Sequence, residues 1–299
     1  LDQRLYALPF LQKQVFGLSG SIGFSYLLTK YTALKGNLAR GFRAPQVNEL
    51  CANGRHEGAF RYELGNQDLK PEFSHQLDLT YSLNNEHLSL EFSPFLNVIQ
   101  NYCFAAKLLN QWGGDSIVDP SDPAPAFQFQ AGNALLYGAE LYSDLHPHPL
   151  DWLHVETSFS FVNAIQFQQA DSMRYLPFIP PAKLRTEWRA EKASIGAFSD
   201  AYFTVHYAYY FAQNRIYGAY QTETRTASYG LLGASVGASL TIGKKRTNVL
   251  FRLGIENALN TVYQAHLSRL KYAPVNPLTG QQGIYNMGRN VSLKLIFTR

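Results

Sequence analysis

The chain has 299 residues, of which 16% are charged, against about 25% in ordinary soluble domains. Aromatic residues make up 14%, and the net charge is +4 with Lys and Arg scattered along the chain, which argues against nucleic-acid binding. No apolar run reaches the ~18–20 residues that a membrane helix needs, so a contact with a bilayer would have to be made by other elements.

Alternation of apolar and polar residues predicts about eleven β-strands and no helix. In the clearest case, Leu77, Leu79 and Tyr81 alternate with polar residues such as Thr80, as in a strand with one apolar face. The predicted strands lie near residues 15–28, 32–41, 74–83, 88–100, 127–145, 152–167, 182–192, 200–213, 227–243, 248–258 and 288–298.

The predicted connections alternate between short and long. Short connections lie at 84–87, 147–151, 193–199 and 244–248, and long ones at 42–73, 101–126, 168–181, 214–226 and 259–287. Tight turns at one end and large loops at the other are typical of an outer-membrane barrel, whose turns are periplasmic and whose loops are extracellular. The chain therefore predicts an all-β, antiparallel transmembrane barrel over residues 1–299.

One face of these strands is predicted to contact lipid and the other a wet lumen, because in a bilayer backbone groups are satisfied by strand pairing. A soluble sandwich, propeller or lectin is the alternative, and it would have to accommodate Arg185, Glu187 and Arg189 on the face opposite Trp188. The predicted lipid-facing residues are Leu77, Leu79, Tyr81, Leu88, Leu90, Phe92, Phe203, Val205, Val249, Phe251, Leu253, Val291, Leu293 and Leu295.

The strand count and the first residues both indicate part of a larger protein. Bacterial single-chain barrels have even strand numbers, and an open edge is not tolerated in lipid, so about eleven strands predict half of a 22-stranded barrel. The chain begins LDQRLYALPF, with neither an initiator Met nor a signal-peptide pattern, which we interpret as a mature or internal piece.

Short motifs resemble those of TonB-dependent outer-membrane receptors, in the order found in that family. The first box is Phe42, Arg43, Ala44 and Pro45, and the second includes Asn66, Leu69, Lys70, Pro71 and Glu72. Later segments at 137–140, 254–260, 262–263 and 288–290 resemble the later barrel motifs, so the resemblance runs from about residue 15 to the end. Two features depart from the family pattern: Gln67 and Asp68 replace Pro and Asn, and the chain ends without a terminal aromatic residue.

This resemblance implies a receptor in the bacterial outer membrane that imports a scarce nutrient, above all a siderophore or haem complex of iron, or a metal ion. It implies that this chain is the C-terminal part of the barrel without the plug domain. A TonB-type energy-coupling protein would engage a missing N-terminal segment. A non-transport barrel, such as an adhesin or structural barrel, and a soluble all-β binding protein are the alternatives. We expect no resident cofactor and no catalysis, because the chain has no GxSxG motif and no clustered acid pair.

The polar segment 42–73 is predicted to be an extracellular loop that contributes to ligand capture. Arg43, Arg55 and Arg61 have the fork geometry that suits carboxylate or phosphate groups. The alternative is that these arginines pair with acidic residues of the same loop, namely Glu49, Glu57 and Glu63.

His56 and Glu57 lie between the two motif boxes. Haem receptors of the family carry an iron-ligating histidine in this region, and residues 53–57 also resemble a His-bearing loop of zinc-uptake receptors. The resemblance therefore implies His56 as a candidate metal ligand. The alternative is an ordinary solvated histidine.

The remaining candidates are histidines and cysteines elsewhere in the chain. His146 and His148 are predicted to be turn residues, and His154 and His206 to face the lumen, where they could line the path without binding anything. Cys51 and Cys103 are too few for a disulfide scaffold, but both fall in predicted extracellular loops. We predict that they form a disulfide.

Overall fold

The computed structural model describes residues 12–59, 61–242, 247–278 and 280–298. Within these ranges thirteen strands form one sheet, and one short α-helix, α1 (Val47–Cys51), is present. The strands are β1 (Gly20–Leu27), β2 (Thr32–Arg43), β3 (Asn53–His56), β4 (Arg61–Leu64), β5 (Glu72–Asn84), β6 (Leu88–Lys107), β7 (Ala126–Leu145), β8 (Leu153–Gln166), β9 (Lys183–Ile195), β10 (Phe198–Tyr210), β11 (Tyr229–Ile242), β12 (Thr247–Glu256) and β13 (Asn290–Thr298).

Eleven of these strands follow one another antiparallel across the sheet, in the order β1-β2-β5-β6-β7-β8-β9-β10-β11-β12-β13. This is the strand set that the alternating pattern predicts, and the all-β prediction is confirmed. Along the chain, each of these eleven strands pairs with the next of the eleven, as in a barrel wall built from consecutive hairpins. No helix in the described part of the chain is long and apolar enough to cross a membrane.

The other elements lie in a segment predicted to be wholly irregular. The strands β3 and β4 form a small hairpin between β2 and β5, and α1 precedes it. The prediction of no helix is therefore wrong for residues 47–51. In addition, β6 continues to Lys107, so the loop predicted at 101–126 spans 108–125 instead.

Short and long connections alternate as predicted. The β5–β6 and β9–β10 connections are tight, and Gly196 in the latter adopts a φ of 61° that favours glycine. The predicted short connection at 244–248 lies largely outside the described residues. The predicted boundaries make 42–73 the longest connection, but in the structure 257–289 is longer than 44–71. The reason is that β12 ends earlier and β13 begins later than predicted, whereas β2 ends later and β5 begins earlier.

The two faces of the sheet differ in chemistry. The predicted lipid-facing residues share one face, here called the apolar face, on which Tyr81 pairs with Phe92 and Phe203 with Val236. Eight of these fourteen side chains are exposed and the other six are partly buried; Leu253, for example, has 47% of its surface accessible. An exposed apolar face of this extent is expected where the surrounding medium is itself apolar.

The opposite face, here called the polar face, carries hydrogen bonds and ion pairs. Thr80 and Ser93 are joined through their hydroxyl oxygens at 3.0 Å, and the Arg185 guanidinium donates to the Glu187 carboxylate on the same strand. The buried apolar clusters are small and lie towards the long connections. Strand pairing, rather than a central core, therefore holds most of the sheet together.

Candidate functional site

The connection 44–71 is an ordered structure. Pro45 follows the last residue of β2, and the Gln46 backbone N–H donates to the Glu49 carboxylate at 2.8 Å, which fixes the start of α1. The hairpin β3–β4 follows, and β4 then pairs in parallel with the first residues of β7. The connection is thereby joined to the main sheet at both ends and in its middle.

Arg43 links the two family motifs at the base of this connection. Its Nη1 lies 2.9 Å from Glu49 Oε1, and its Nε donates to Glu72 Oε2 at 2.6 Å. Burial opposes the charge, but the hydrogen bonds to Glu72 and Glu49 outweigh it and raise the pKa of Arg43 above its ordinary value. The first motif box therefore holds the second through a forked ion pair.

A small apolar cluster packs the connection onto β6 and β7. Leu50, Cys51, Leu69 and Phe129 are buried together, and Cys103 packs against them. Both cysteines are free thiols in the structure, and Cys103 lies within β6 rather than in a loop. The structure thus brings the two cysteines to one cluster, and the disulfide stays a prediction.

The hairpin β3–β4 carries the other two arginines. Arg55 Nε lies 3.6 Å from Glu57 Oε1, and the Arg55 guanidinium also donates to Asp122 of the neighbouring connection. Arg61 Nη2 lies 2.7 Å from Glu63 Oε1. With the Arg43–Glu49 pair, these contacts place each of the three arginines beside an acidic residue of its own loop, and a role of the arginines in ligand capture stays a prediction.

His56 is exposed at the last position of β3, opposite Arg61 in the hairpin ladder. Within the described ranges, one group of three metal-ligating side chains has converging ligand atoms, and it does not include His56. The structure therefore places Arg55, His56 and Glu57 in succession at the tip of the hairpin. Metal ligation by His56 stays a prediction.

A buried polar network, which sequence analysis missed, joins the connections 211–228 and 257–289. The side chains of Glu223 and His266 are each 1% exposed, and His266 Nδ1 lies 2.8 Å from Thr226 Oγ1. Lys271 Nζ donates to the same hydroxyl at 2.6 Å and to the Thr224 carbonyl at 2.7 Å. No sequence signal identifies this network, because its members lie about 40 residues apart and carry no motif.

Opposing effects set the charge states in this network. Burial penalises the Glu223 carboxylate, but the His266 imidazole 3.3 Å away and hydrogen bonds from the Tyr217 and Phe178 backbone N–H groups outweigh it and lower its pKa. Burial lowers the pKa of Lys271, and the charge of Glu223 only partly offsets this. The network therefore favours a carboxylate that holds the two connections together.

The remaining histidines lie where the pattern predicts. His146 and His148 follow β7 in the β7–β8 connection, and His154 lies near the start of β8. His206 Nε2 lies 3.0 Å from Glu256 Oε2 on the polar face. None of these positions is near the connection 44–71.

Solved structures with a similar fold are transporters and receptors. The copper transporter OprC has a TM-score of 0.69 and 19% identity, with 93% of this chain and 39% of that chain covered. The FrpB iron transporter from Neisseria meningitidis has a TM-score of 0.61 and 13% identity, with 93% and 39% covered. A ferric enterobactin receptor from Pseudomonas aeruginosa, in complex with enterobactin, has a TM-score of 0.63 and 18% identity, with 93% and 40% covered.

These likenesses establish the fold, and the present chain spans well under half the length of each of these proteins. The family described as "TonB dependent receptor-like, beta-barrel" matches residues 5–258, which is most of the chain. The consecutive antiparallel strands, the alternating connections and the linked motif boxes agree with that match. The protein therefore belongs to the TonB-dependent receptor-like β-barrel family.

Proposed function

We propose that this chain forms about half of the barrel wall of a receptor in the bacterial outer membrane, which takes up a scarce metal-containing nutrient by TonB-coupled transport. The nutrient is an iron complex, such as a siderophore or haem, or a metal ion. The observation that carries this proposal is family membership combined with ordered, ion-paired long connections at one end of the sheet. The similar solved structures transport or receive copper, iron or a ferric siderophore, which supports this substrate class.

The apolar face of the sheet supports an integral position in the membrane. Its exposed side chains include Leu79, Leu253 and Leu293, which would be costly to leave in water. In the proposed receptor this face contacts lipid, and the polar face encloses the plug that the rest of the protein supplies. The coupling protein engages that other part of the receptor and not this chain.

We assign ligand capture to the tip of the hairpin β3–β4. Arg55, His56 and Glu57 offer a guanidinium, an imidazole and a carboxylate within three consecutive residues, and the Glu57 side chain is 79% exposed. The hairpin is held by β7 and by the Arg55–Asp122 contact, so these groups are presented from a rigid base. Rigid presentation lowers the entropic cost of ligand capture.

The test is uptake by cells that lack the full-length receptor. A deletion strain is grown under iron or zinc limitation with haem, a ferric siderophore or the metal salt as the sole source, and uptake of the labelled nutrient is measured. Complementation with the wild-type gene should restore uptake of one of these nutrients, and a protonophore should abolish uptake while leaving surface binding intact. A deletion strain that takes up every tested nutrient at wild-type rates would favour a non-transport barrel.

A further inference from the structure

A cluster of three metal-ligating side chains lies at the end of the sheet opposite the capture hairpin. Asp144 and His146 are two residues apart at the end of β7, so both project to the polar face. His154, at the start of β8, lies opposite His146, one step beyond the Leu145–Val155 pair of the ladder. Strand register, rather than a sequence motif, thus brings the three side chains together.

The ligand atoms of this cluster converge. His146 Nε2 lies 2.8 Å from Asp144 Oδ2, and His154 Nδ1 lies 3.1 Å from His146 Nε2. The two imidazole rings are 4.3 Å apart at an angle of 66°, so they meet edge to face. All three ligand atoms lie within 4.8 Å of one another. The position of His146 is fixed by its backbone N–H, which donates to the His87 carbonyl at 2.8 Å.

Hydrogen bonds alone leave this cluster incompletely satisfied. A ring nitrogen carries at most one proton, so His146 Nε2 cannot donate to the Asp144 carboxylate and accept from His154 at the same time. If Nε2 is unprotonated, its lone pair faces a carboxylate oxygen at 2.8 Å. In addition, Asp144 Oδ1 is buried and has no hydrogen-bond partner. A cation between Asp144 Oδ2, His146 Nε2 and His154 Nδ1 would accept the lone pairs of these three atoms.

The spacing suits a transition-metal ion. An ion with metal–ligand bonds of about 2.0–2.1 Å in a tetrahedral site separates its ligand atoms by roughly 3.3 Å. Two of the three separations, 2.8 and 3.1 Å, need to open by only a few tenths of an ångström, and the third, between Asp144 and His154, is at most 4.8 Å. Two imidazoles and one carboxylate are ligands for Zn²⁺ and its neighbours, with a fourth position left for water.

Neighbouring charges do not block the site. Arg189 pairs with His154 across the β8–β9 ladder, but its guanidinium donates to Glu191 and lies 4.6 Å from the centre of the Tyr202 ring. The Arg189 charge is thus engaged away from the cluster. Glu156, the ladder partner of Asp144, adds a second carboxylate on the same face.

We propose that Asp144, His146 and His154 form a binding site for a divalent transition-metal ion at the turn end of the polar face. This inference does not rest on the proposed uptake, because it depends on the three side chains alone. Neither His87 nor His148 belongs to the site. Their rings lie 5.7 Å apart, and His148 Nδ1 faces Asp151 at 3.2 Å.

The full-length receptor, purified in detergent and stripped with a chelator, provides the test. It is titrated with Zn²⁺, and bound metal is quantified after removal of free ion. His146→Ala, His154→Ala and Asp144→Asn should each weaken binding of one equivalent of Zn²⁺ by at least tenfold. The matched controls His148→Ala, in the same turn, and His87→Ala, in the β5–β6 turn, should bind as the wild type does. Unchanged binding in the His146→Ala/His154→Ala double variant would overturn the proposal.

A measurement on the wild-type receptor covers the case in which a variant fails to assemble. Diethyl pyrocarbonate modifies accessible imidazoles, and the modified histidines are mapped by mass spectrometry with and without Zn²⁺. We expect Zn²⁺ to protect His146 and His154 at least fivefold while His87 and His148 react as before. Equal modification of His146 and His154 in both conditions would contradict the site.

Discussion

Arg43, at the end of β2, and Glu72, at the start of β5, face each other across adjacent strands and are joined by hydrogen bonds from one guanidinium. Each residue belongs to a different family motif, and the 28-residue connection 44–71 lies between them. The pair therefore closes the base of the connection that carries the capture hairpin.

Loss of this pair should loosen the connection. Arg43→Ala or Glu72→Gln should lower the free energy needed to open the connection 44–71 by about 1–2 kcal/mol, because a charged group loses its partner. The loss is no larger because the Arg43 side chain is 39% exposed, and solvent screens its charge. Protease cleavage within 44–71 on intact cells should then be about 5–30 times faster. Arg43→Lys should restore protection only in part, because an ammonium cannot form the fork. Arg225→Ala, at an exposed position in another connection, should leave the rate of cleavage within 44–71 unchanged. Faster cleavage within 44–71 in the Arg225→Ala variant would contradict a specific role of the Arg43–Glu72 pair.

The two faces of the sheet should differ in their tolerance of charge. Leu79→Arg or Leu253→Arg should cost about 2–4 kcal/mol near the middle of the membrane, and the assembled fraction should fall. Thr80→Arg, the matched change on the polar face, should assemble normally. Heat-modifiable migration of the full-length receptor in gels measures assembly. Equal assembly of the Leu79 and Thr80 variants would contradict the assignment of the faces.

The two cysteines should be bonded in cells. Cys51 and Cys103 share one apolar cluster, and a disulfide between them would close a loop of about 50 residues, with a stabilisation of roughly 4 kcal/mol in the chain-entropy model. Peptide mapping without reduction should find a linked pair. Labelling with a thiol reagent alone would mislead, because Cys51 is buried and Cys103 partly buried, so an unlabelled thiol would be scored as a bonded one. Unlinked peptides from freshly prepared outer membranes would refute the pairing.

Acid should loosen the contact between the connections 211–228 and 257–289. The folded-state pKa of Glu223 lies below its unfolded value. The stabilisation that its carboxylate provides is therefore complete above about pH 4.5 and is lost as the pH falls through the folded-state pKa. Hydrogen exchange at the Tyr217 and Phe178 amides, corrected for intrinsic rates, should show this loss of protection. Glu223→Gln should lower protection at pH 7 and remove the pH dependence. An unchanged pH dependence in that variant would assign the effect to another group.

The capture hairpin should contribute to metal-ligand binding through its histidine. In the full-length receptor, His56→Ala should weaken binding of haem or zinc, whichever supports growth through this receptor, by well over tenfold if the imidazole ligates the metal. His87→Ala, at the opposite end of the sheet, is the control. Unchanged affinity of the His56→Ala receptor for both ligands, with uptake intact, would leave His56 as a solvated loop residue.

The barrel strands could be predicted because their signal is local. Alternation from Leu77 to Leu83 marks both the strand and its faces, and the ladder then confirms each face residue by residue. The helix α1 has only a weak local signal, because glutamine is not a preferred N-cap residue and only Glu49, at the third helical position, fits a helix start.

Other features depend on contacts that no local pattern encodes. The hairpin β3–β4 is stabilised by parallel pairing with β7, which lies more than 60 residues further along the chain. His146 and His154 meet because a tight connection sets the register of β7 against β8, so a prediction of each residue separately assigns them to a turn and to the lumen wall. For the same reason, the burial of Glu223 against His266 appears only once two connections are packed together.

The strand β7 pairs with the capture hairpin at one end and carries Asp144 at the other. Side chains alternate along it, so inserting a single residue between these points would turn one group of side chains to the opposite face. Homologues that keep both the hairpin pairing and the Asp144 cluster should therefore differ in the length of this strand only by even numbers of residues, or carry a compensating bulge. In homologues that have lost either feature, the strand can also differ by odd numbers of residues.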